Sequence, residues 1–238
     1  MLKAFKYLKP FWLSVIAIIV CVFSQVQCEL ALPDYMSDIV TYGIQYSGIT
    51  ETVPEVISEQ TYAHLAYFMS EDDYAIVQQS YTLSKTCTIS KKEYSLDNAV
   101  YVLKQDRADA VSKVIMQPFM IVEMMSSDEV ISQMHVDNVE QVWQMLEANP
   151  TMASQIAAQV SKKMDGHTDE NLESAVRMME SQEYASVGLD MEKIQNSYIY
   201  GKGGVMLAIA LLGSICAIVA AFLSSRTATG AARAIRKD

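Results

Sequence analysis

The stretch VMLAIALLGSICAIVAAFL, Val205 to Leu223, carries no charged residue. That is close to the roughly 20 apolar residues needed to cross a bilayer core as a helix. A second run, FWLSVIAIIVCVF from Phe11 to Phe23, is almost unbroken, and a helix can continue from it through SQVQCELAL. Lys3, Lys6 and Lys9 precede the first run, while Arg226, Arg233, Arg236 and Lys237 follow the last. Basic flanks mark the cytoplasmic side, so both termini are expected inside and the intervening chain outside. Trp12, Tyr198 and Tyr200 stand where interfacial aromatics are expected.

Charge is segregated to match. From Asp38 to Ser197 there are 25 acidic and 10 basic residues, whereas the two ends together carry 8 basic and 3 acidic. An acidic middle repels phosphate and excludes nucleic acid as its partner, and the asymmetry points instead to a lipid bilayer. The expected organisation is a cytoplasmic N-terminus over residues 1–9 and a first transmembrane helix with its outer extension over 10–35. An acidic extracellular domain follows over 36–198, then a second transmembrane helix over 199–225 and a cytoplasmic helical stub over 226–238. A cleaved signal peptide is the rival reading of the first run. Ser24-Gln25-Val26-Gln27 offers no small-x-small cleavage site, and Gln27 before Cys28 fits a lipoprotein site poorly. An uncleaved span is therefore expected.

Of the four cysteines, only Cys87 lies in the outer region. That domain must stand on its own apolar core without an internal disulfide, and Cys87 is expected as a buried filler. The middle reads as mostly helical with minor strand content. Pro54 is placed in the first turn of a helix through PEVISEQTYAHLAYFM, with Ile57, Leu65, Phe68 and Met69 on one side. Ser70 before Glu71, Asp72 and Asp73 predicts a helix start. Ser126 with Glu129 predicts a capping box ahead of Val130, Ile131 and Met134. Asn149-Pro150 opens a helix bearing Met152, Ile156, Val160 and Met164, which Asp165-Gly166 ends. Thr168-Asp169-Glu170 begins the next, with Leu172, Val176 and Met179 inward. YTLSKTCTIS and YSLDNAVYVLK favour strands and predict a hairpin.

Motifs for chemistry are sparse. His64, His135 and His167 are isolated from one another and form no metal-ligand pattern, and DGHTDE at 165–170 lacks the acids of a calcium loop. Met116, Met120, Met124 and Met125 suit helix packing better than a copper site. Asp72/Asp73 and Asp128/Glu129 sit where helix starts attract acids. Gly201-Lys202 has Asn196 where a P-loop needs its first glycine and Gly203 where it needs Ser or Thr. No catalytic, metal or nucleotide-binding residue is assigned.

Polar residues beside the spans say more. Gln25 and Glu29 lie four residues apart on one helical face, with Gln27 between them. Such groups avoid lipid and face a bundle interior or a water-filled cavity. Pro33 permits a bend, and Gly43 offers a break before the outer domain. Gly213, Ser214, Ala208, Ala217, Ala220 and Ala221 form a small-residue face for close helix packing.

LALPDYMSDIVTYGIQ, Leu30 to Gln45, resembles the outer end of the first transmembrane helix of bacterial ABC-type multidrug exporters. MLAIALLGSICAIVAAFLSSRTATGAARAIRK, Met206 to Lys237, is similar to their second helix running towards the first coupling helix. PEVISEQT near Pro54 resembles a heterodimeric subset with an enlarged extracellular domain between those helices. The resemblance implies one part of an ATP-driven exporter of small molecules, drugs or peptides in a bacterial plasma membrane. Gln25, Gln27 and Glu29 would then line the substrate path near its outer gate, touching substrate and catalysing nothing. Four further helices, an ATPase domain using ATP and Mg, and a second half-transporter subunit are implied as partners. The Walker and signature motifs of that domain are absent here, so the chain reads as an N-terminal fragment. The alternative is a self-contained two-span membrane protein whose acidic extracellular domain binds a ligand or partner.

Overall fold

A computed structural model describes residues 12–90, 92–127, 130–132, 136, 138–164 and 169–237. The chain is mainly helical with minor strand content, and it divides into two compact units. One comprises the residues up to Thr41 together with those from Tyr198 onward; the other is Tyr42–Ser197.

The first unit is built from α1 (Trp12–Asp38) and the greater part of α8 (Met191–Lys237). Both helices are long and apolar enough to cross a membrane, and both outrun the expected spans of 10–35 and 199–225. Only part of the expected small-residue face is used. Gly213 and Ala220 are buried and Ala217 half-buried, at helical spacings of four and three, while Ala208 and Ala221 are exposed. A Cβ on Gly213 would stand 3.3 Å from the Cys28 Cβ, so glycine lets the two backbones approach closely there. Lys202 Nζ donates to Asp38 Oδ2 at 2.7 Å, with the Tyr35 and Tyr198 rings 5.4 and 5.7 Å from the ammonium. The helix continues through Pro33. Its irregularity comes later, as a π-helical turn over Ile39–Gln45. The break falls at Gly48 instead of Gly43: φ is +89° there, and a Cβ would meet Ile194 O at 3.0 Å. Only glycine suits both demands.

The second unit is organised around a three-stranded antiparallel sheet in the order β1-β3-β2, with β1 at Val56–Ile57, β2 at Tyr81–Ile89 and β3 at Lys92–Leu103. The hairpin read from sequence is present. Its register jumps from Ser84↔Val100 to Thr86↔Ser95, setting Leu96–Ala99 of β3 opposite Lys85 alone. Such an insertion bends the strand and raises its twist. Side chains alternate across the sheet, and here both faces are apolar. Ile57, Tyr101 and Leu103 turn to one core, while Val56, Val100 and Val102 turn to another. This explains the continuous apolar run Ala99–Leu103, since a central strand covered on both sides has no polar face.

The larger core is closed by helices α2 (Glu59–Leu65), α3 (Glu71–Ser80), α4 (Ala108–Met125), α5 (Val139–Ala148), α6 (Pro150–Met164) and α7 (Asp169–Ser186). Leu65, Val77, Ile115, Phe119, Leu146 and Val176 are fully buried in it. The smaller core gathers Ile49, Cys87, Ile89, Leu96, Tyr184, Leu189 and Ile194. Cys87 is buried there as an apolar filler, as expected. Met120 and Met125 lie in the larger core with Met116 packed against it, the packing role read from sequence, although Met124 is exposed.

Two expected helix starts were misread. Pro54 opens no helix; the residues after it enter β1, and α2 begins five positions later, where Ser58 Oγ accepts the Thr61 N–H. The β-branched pair Val56-Ile57 finds cross-strand partners on β3, and that pairing outweighs the helical pattern. Ser126 ends α4, its hydroxyl donating to Val122 O. The helix expected beyond it is present at 130–132, where Val130 and Ile131 donate their N–H groups to Ser127 O and pack against the larger core; Glu129, Met134, Asp165, Gly166 and Thr168 lie outside the described residues. The Ser70 cap is present, with Oγ accepting from Asp73 N–H, and α6 starts at Pro150 as expected.

Truncation of the buried Leu65 to alanine is expected to cost about 2–5 kcal/mol, whereas Leu83→Ala, on an exposed face, should stay within about 0.5 kcal/mol. Urea denaturation of the two variants in detergent, followed by circular dichroism, measures the difference.

Candidate functional site

The first constellation lies on the apolar helix pair. A cavity of about 260 Å³ is lined by Gln25, Cys28, Glu29 and Leu32 of α1 and by Gly213, Ser214 and Ala217 among others of α8. Gln25 Nε2 donates to Glu29 Oε1 at 2.8 Å, so the four-residue spacing does bring these two side chains together. Gln27 is exposed and lies outside the lining, as expected for a residue two positions from each on a 3.6-residue period. Ser214 Oγ donates to Ala210 O within its own helix, leaving its lone pairs towards other groups. The surrounding helix surface is strongly apolar, with Phe23, Leu30, Leu211 and Ile215 all exposed. The arrangement offers a carboxylate, an amide and a hydroxyl in a notch of apolar walls. It can accept hydrogen bonds and attract a cation. Lys202 and Gly201 stand within the helical course of α8, with no phosphate-binding loop around them.

The second constellation lies inside the middle unit and was not read from the sequence. Helix α7 buries Arg177, Glu180 and Glu183. Glu183 Oε1 accepts the Ser58 N–H at 2.7 Å, and Ser186 Oγ donates to its other oxygen at 3.2 Å. The neighbouring Tyr184 hydroxyl accepts the Glu55 N–H at 2.8 Å, and Tyr81 donates its hydroxyl proton to Pro54 O at 2.6 Å. These bonds fix the chain entering β1 to α7 and β2. Glu180 is completely buried, and neither carboxyl oxygen has a partner among the described residues.

Electrostatics follow from that burial. Removal from water, then the neighbouring Glu55, hold Glu180 well above the usual carboxylate range, with Arg177 opposing. Burial and the adjacent Glu51 push Glu55 up to about 7. Burial and Glu183 push Glu123 of α4 up to about 8, against a hydrogen bond from the Thr61 side chain. Burial, with Glu55 nearby, raises the Cys87 thiol to about 11 and makes it a poor nucleophile. Among the described residues no group of three His, Cys, Asp or Glu side chains is arranged to hold a metal ion. His64 stacks on the Trp143 ring at 3.7 Å and is part of an aromatic cluster with Tyr67 and Phe68; His135 and His167 lie outside the described residues.

The sequence held a signal for this second group. Leu172, Val176 and Met179 form the inward stripe of α7, and the next position on that stripe, four residues on, is Glu183. Glu173, Arg177, Glu180 and Tyr184 follow the same spacing one residue along. A charged residue on an apolar stripe marks a buried charge. No family model, curated protein or solved structure matches the chain.

Two measurements check this geometry. With Cys21 and Cys216 replaced by serine, Gly213→Cys should form a disulfide with Cys28 on mild oxidation, detected as a linked peptide by mass spectrometry. Second, Glu55 and Glu123 bind protons in the folded state at a pH where an unfolded chain, titrating near 4.5, has lost them. Their stabilising contribution is complete below about pH 4.5 and is lost as pH rises through about 7 and about 8 respectively. The thermal unfolding midpoint of the middle unit should therefore fall between pH 5 and 9, and Glu123→Gln should flatten the upper part of that fall.

Proposed function

We propose that this chain supplies the first membrane helix pair and the outer domain of an ABC-type multidrug exporter subunit. The observation that carries the reading is the Gln25–Glu29 pair lining a cavity between two otherwise apolar helices. A carboxylate left in lipid costs on the order of 3 kcal/mol at the centre of a spanning helix, and Glu29, nearer the outer end, would bear part of that cost. A simple anchor gains nothing from it. A helix that borders a water-filled path avoids most of that cost and acquires a group that can hold a polar or cationic substrate. The exposed apolar surfaces of α1 and α8 suit further helices packed around the same path.

In this reading both termini are cytoplasmic, the middle unit is extracellular, and the membrane is bacterial. Gln25 and Glu29 contact substrate near the outer gate, and Gln27 faces a neighbouring helix. The cycle would be alternating access, for which ATP and Mg at an ATPase domain that none of these residues forms would supply the driving force. The residues of this chain perform no step of ATP hydrolysis. They bind and orient cargo, and the small-residue contact at Gly213 lets the helix pair move as a single body.

A second reading, a self-contained two-span protein with a ligand-binding outer domain, is favoured by one feature. A cavity of about 440 Å³ opens in the middle unit, lined by Glu51, Glu55, Val53, Val102 and Gln105 among others. Its volume suits a small molecule.

Purification of the protein from its native membrane in mild detergent separates the two. The exporter reading expects ATP hydrolysis in the purified material, stimulated by amphipathic cations, with the stimulation reduced at least about tenfold by Glu29→Gln. A stable species that hydrolyses no ATP, and whose ligand-dependent stabilisation is untouched by Glu29→Gln, contradicts it.

A further inference from the structure

We infer that Arg177 and Glu180 of α7 form a proton-controlled latch on the segment Tyr42–Thr50. Arg177 holds that segment through several contacts. Its guanidinium lies 5.5 Å from the Tyr42 ring centroid and 5.4 Å from that of Tyr46, and it approaches Thr50 O and Glu173 Oε2 at 3.5 and 3.3 Å. One turn away, the Tyr46 hydroxyl donates to Ser174 Oγ at 2.7 Å. The side chain of Arg177 is almost wholly buried, yet its Nε–H has no acceptor among the described residues.

The acceptor that would satisfy it stands three residues along the same helix. Glu180 is fully buried with both oxygens unpartnered, and side chains at i and i+3 share a helix face. Two buried groups of opposite charge type, each with unused hydrogen-bonding capacity and within reach of one another, remain apart in this structure. A neutral Glu180 explains that: a protonated carboxyl exerts little pull on the guanidinium, and Arg177 keeps its tyrosines and Glu173. Glu55 and Glu51 face Glu180 from the segment before β1 and favour its neutral form, while Arg177 opposes them. Tyr81 of β2 and Tyr184 of α7 also face it, and its charge would hold their hydroxyls protonated.

When Glu180 releases its proton to solvent, a bare carboxylate is left in an apolar core. An unpaired buried charge is strongly destabilising, and the nearest cation is Arg177. The guanidinium turns to the carboxylate and leaves the Tyr42 and Tyr46 rings and the Thr50 carbonyl. The segment Tyr42–Thr50 then loses the guanidinium and is held by the Tyr46–Ser174 bond and by Ser90 Oγ donating to Gly48 O. Low pH closes the latch and high pH opens it. This inference is independent of the transport reading, because it concerns contacts within the middle unit alone.

Hydrogen exchange of residues 42–50, corrected for intrinsic pH dependence, tests it. In the wild-type protein in detergent, protection should fall about tenfold or more as pH rises through the loss of the Glu180 proton, followed as the disappearance of a carboxyl infrared band that Glu180→Gln lacks. Glu180→Gln should abolish the fall and keep the segment protected throughout. Glu180→Met, which is apolar and of similar size, should behave alike, so that misfolding of one variant leaves the other to decide. Arg177→Gln should leave the segment poorly protected at every pH. The latch is overturned if wild-type protection is unchanged across the loss of that band, if either folded Glu180 variant keeps the wild-type transition, or if Arg177→Gln retains the protection seen at low pH.

Discussion

Water is excluded from the place where α7 crosses behind the sheet, and that exclusion governs the middle unit. Glu180 and Glu183 sit among the side chains of two apolar cores. Glu183 is tolerated there because the Ser58 amide and the Ser186 hydroxyl point at it. Glu180 receives no such donor among the described residues, and burial holds its carboxyl well above the usual carboxylate range. The remaining geometry follows. Tyr184 takes the Glu55 amide, β1 is held against β3, and the sheet is kept between a large helical core and a smaller one.

The same constraint acts on the apolar helix pair. Gln25 and Glu29 bond to one another and line a cavity instead of standing singly on an apolar surface. Close approach of α1 and α8 at Gly213 makes the notch narrow, and Lys202 with Asp38 joins the two helices by an ion pair among tyrosine rings. In both units, then, the polar groups that matter chemically are those set among apolar side chains. Function is to be sought at these positions.

Much of this was legible in the residues. The apolar runs, the hairpin, the Ser70 cap and the Asn149-Pro150 helix start all rest on local rules, and local rules hold when nothing distant competes. The failures came where something distant did. Val56 and Ile57 follow a proline and precede a helix, and only their partners Val102 and Tyr101, far along the chain, make them a strand. Ser126 has the side chain for a helix start but is used at a helix end, since a serine hydroxyl can equally donate to a carbonyl one turn back. Gly43 and Gly48 look alike in the sequence; only the approach of Ile194 decides which of them must be glycine. The buried carboxylates of α7 were readable as a break in an apolar stripe, but their partners were not, since Ser58 and Glu55 lie more than a hundred residues away.

The most direct test of the protonated interior is infrared spectroscopy of the carboxyl groups. A neutral buried carboxyl gives a C=O stretch well separated from that of carboxylates. At pH 7 the intact protein is expected to show such a band, and Glu180→Gln is expected to remove part of its intensity while the fold persists. Absence of the band at pH 7, or a band unchanged by Glu180→Gln, would contradict the account.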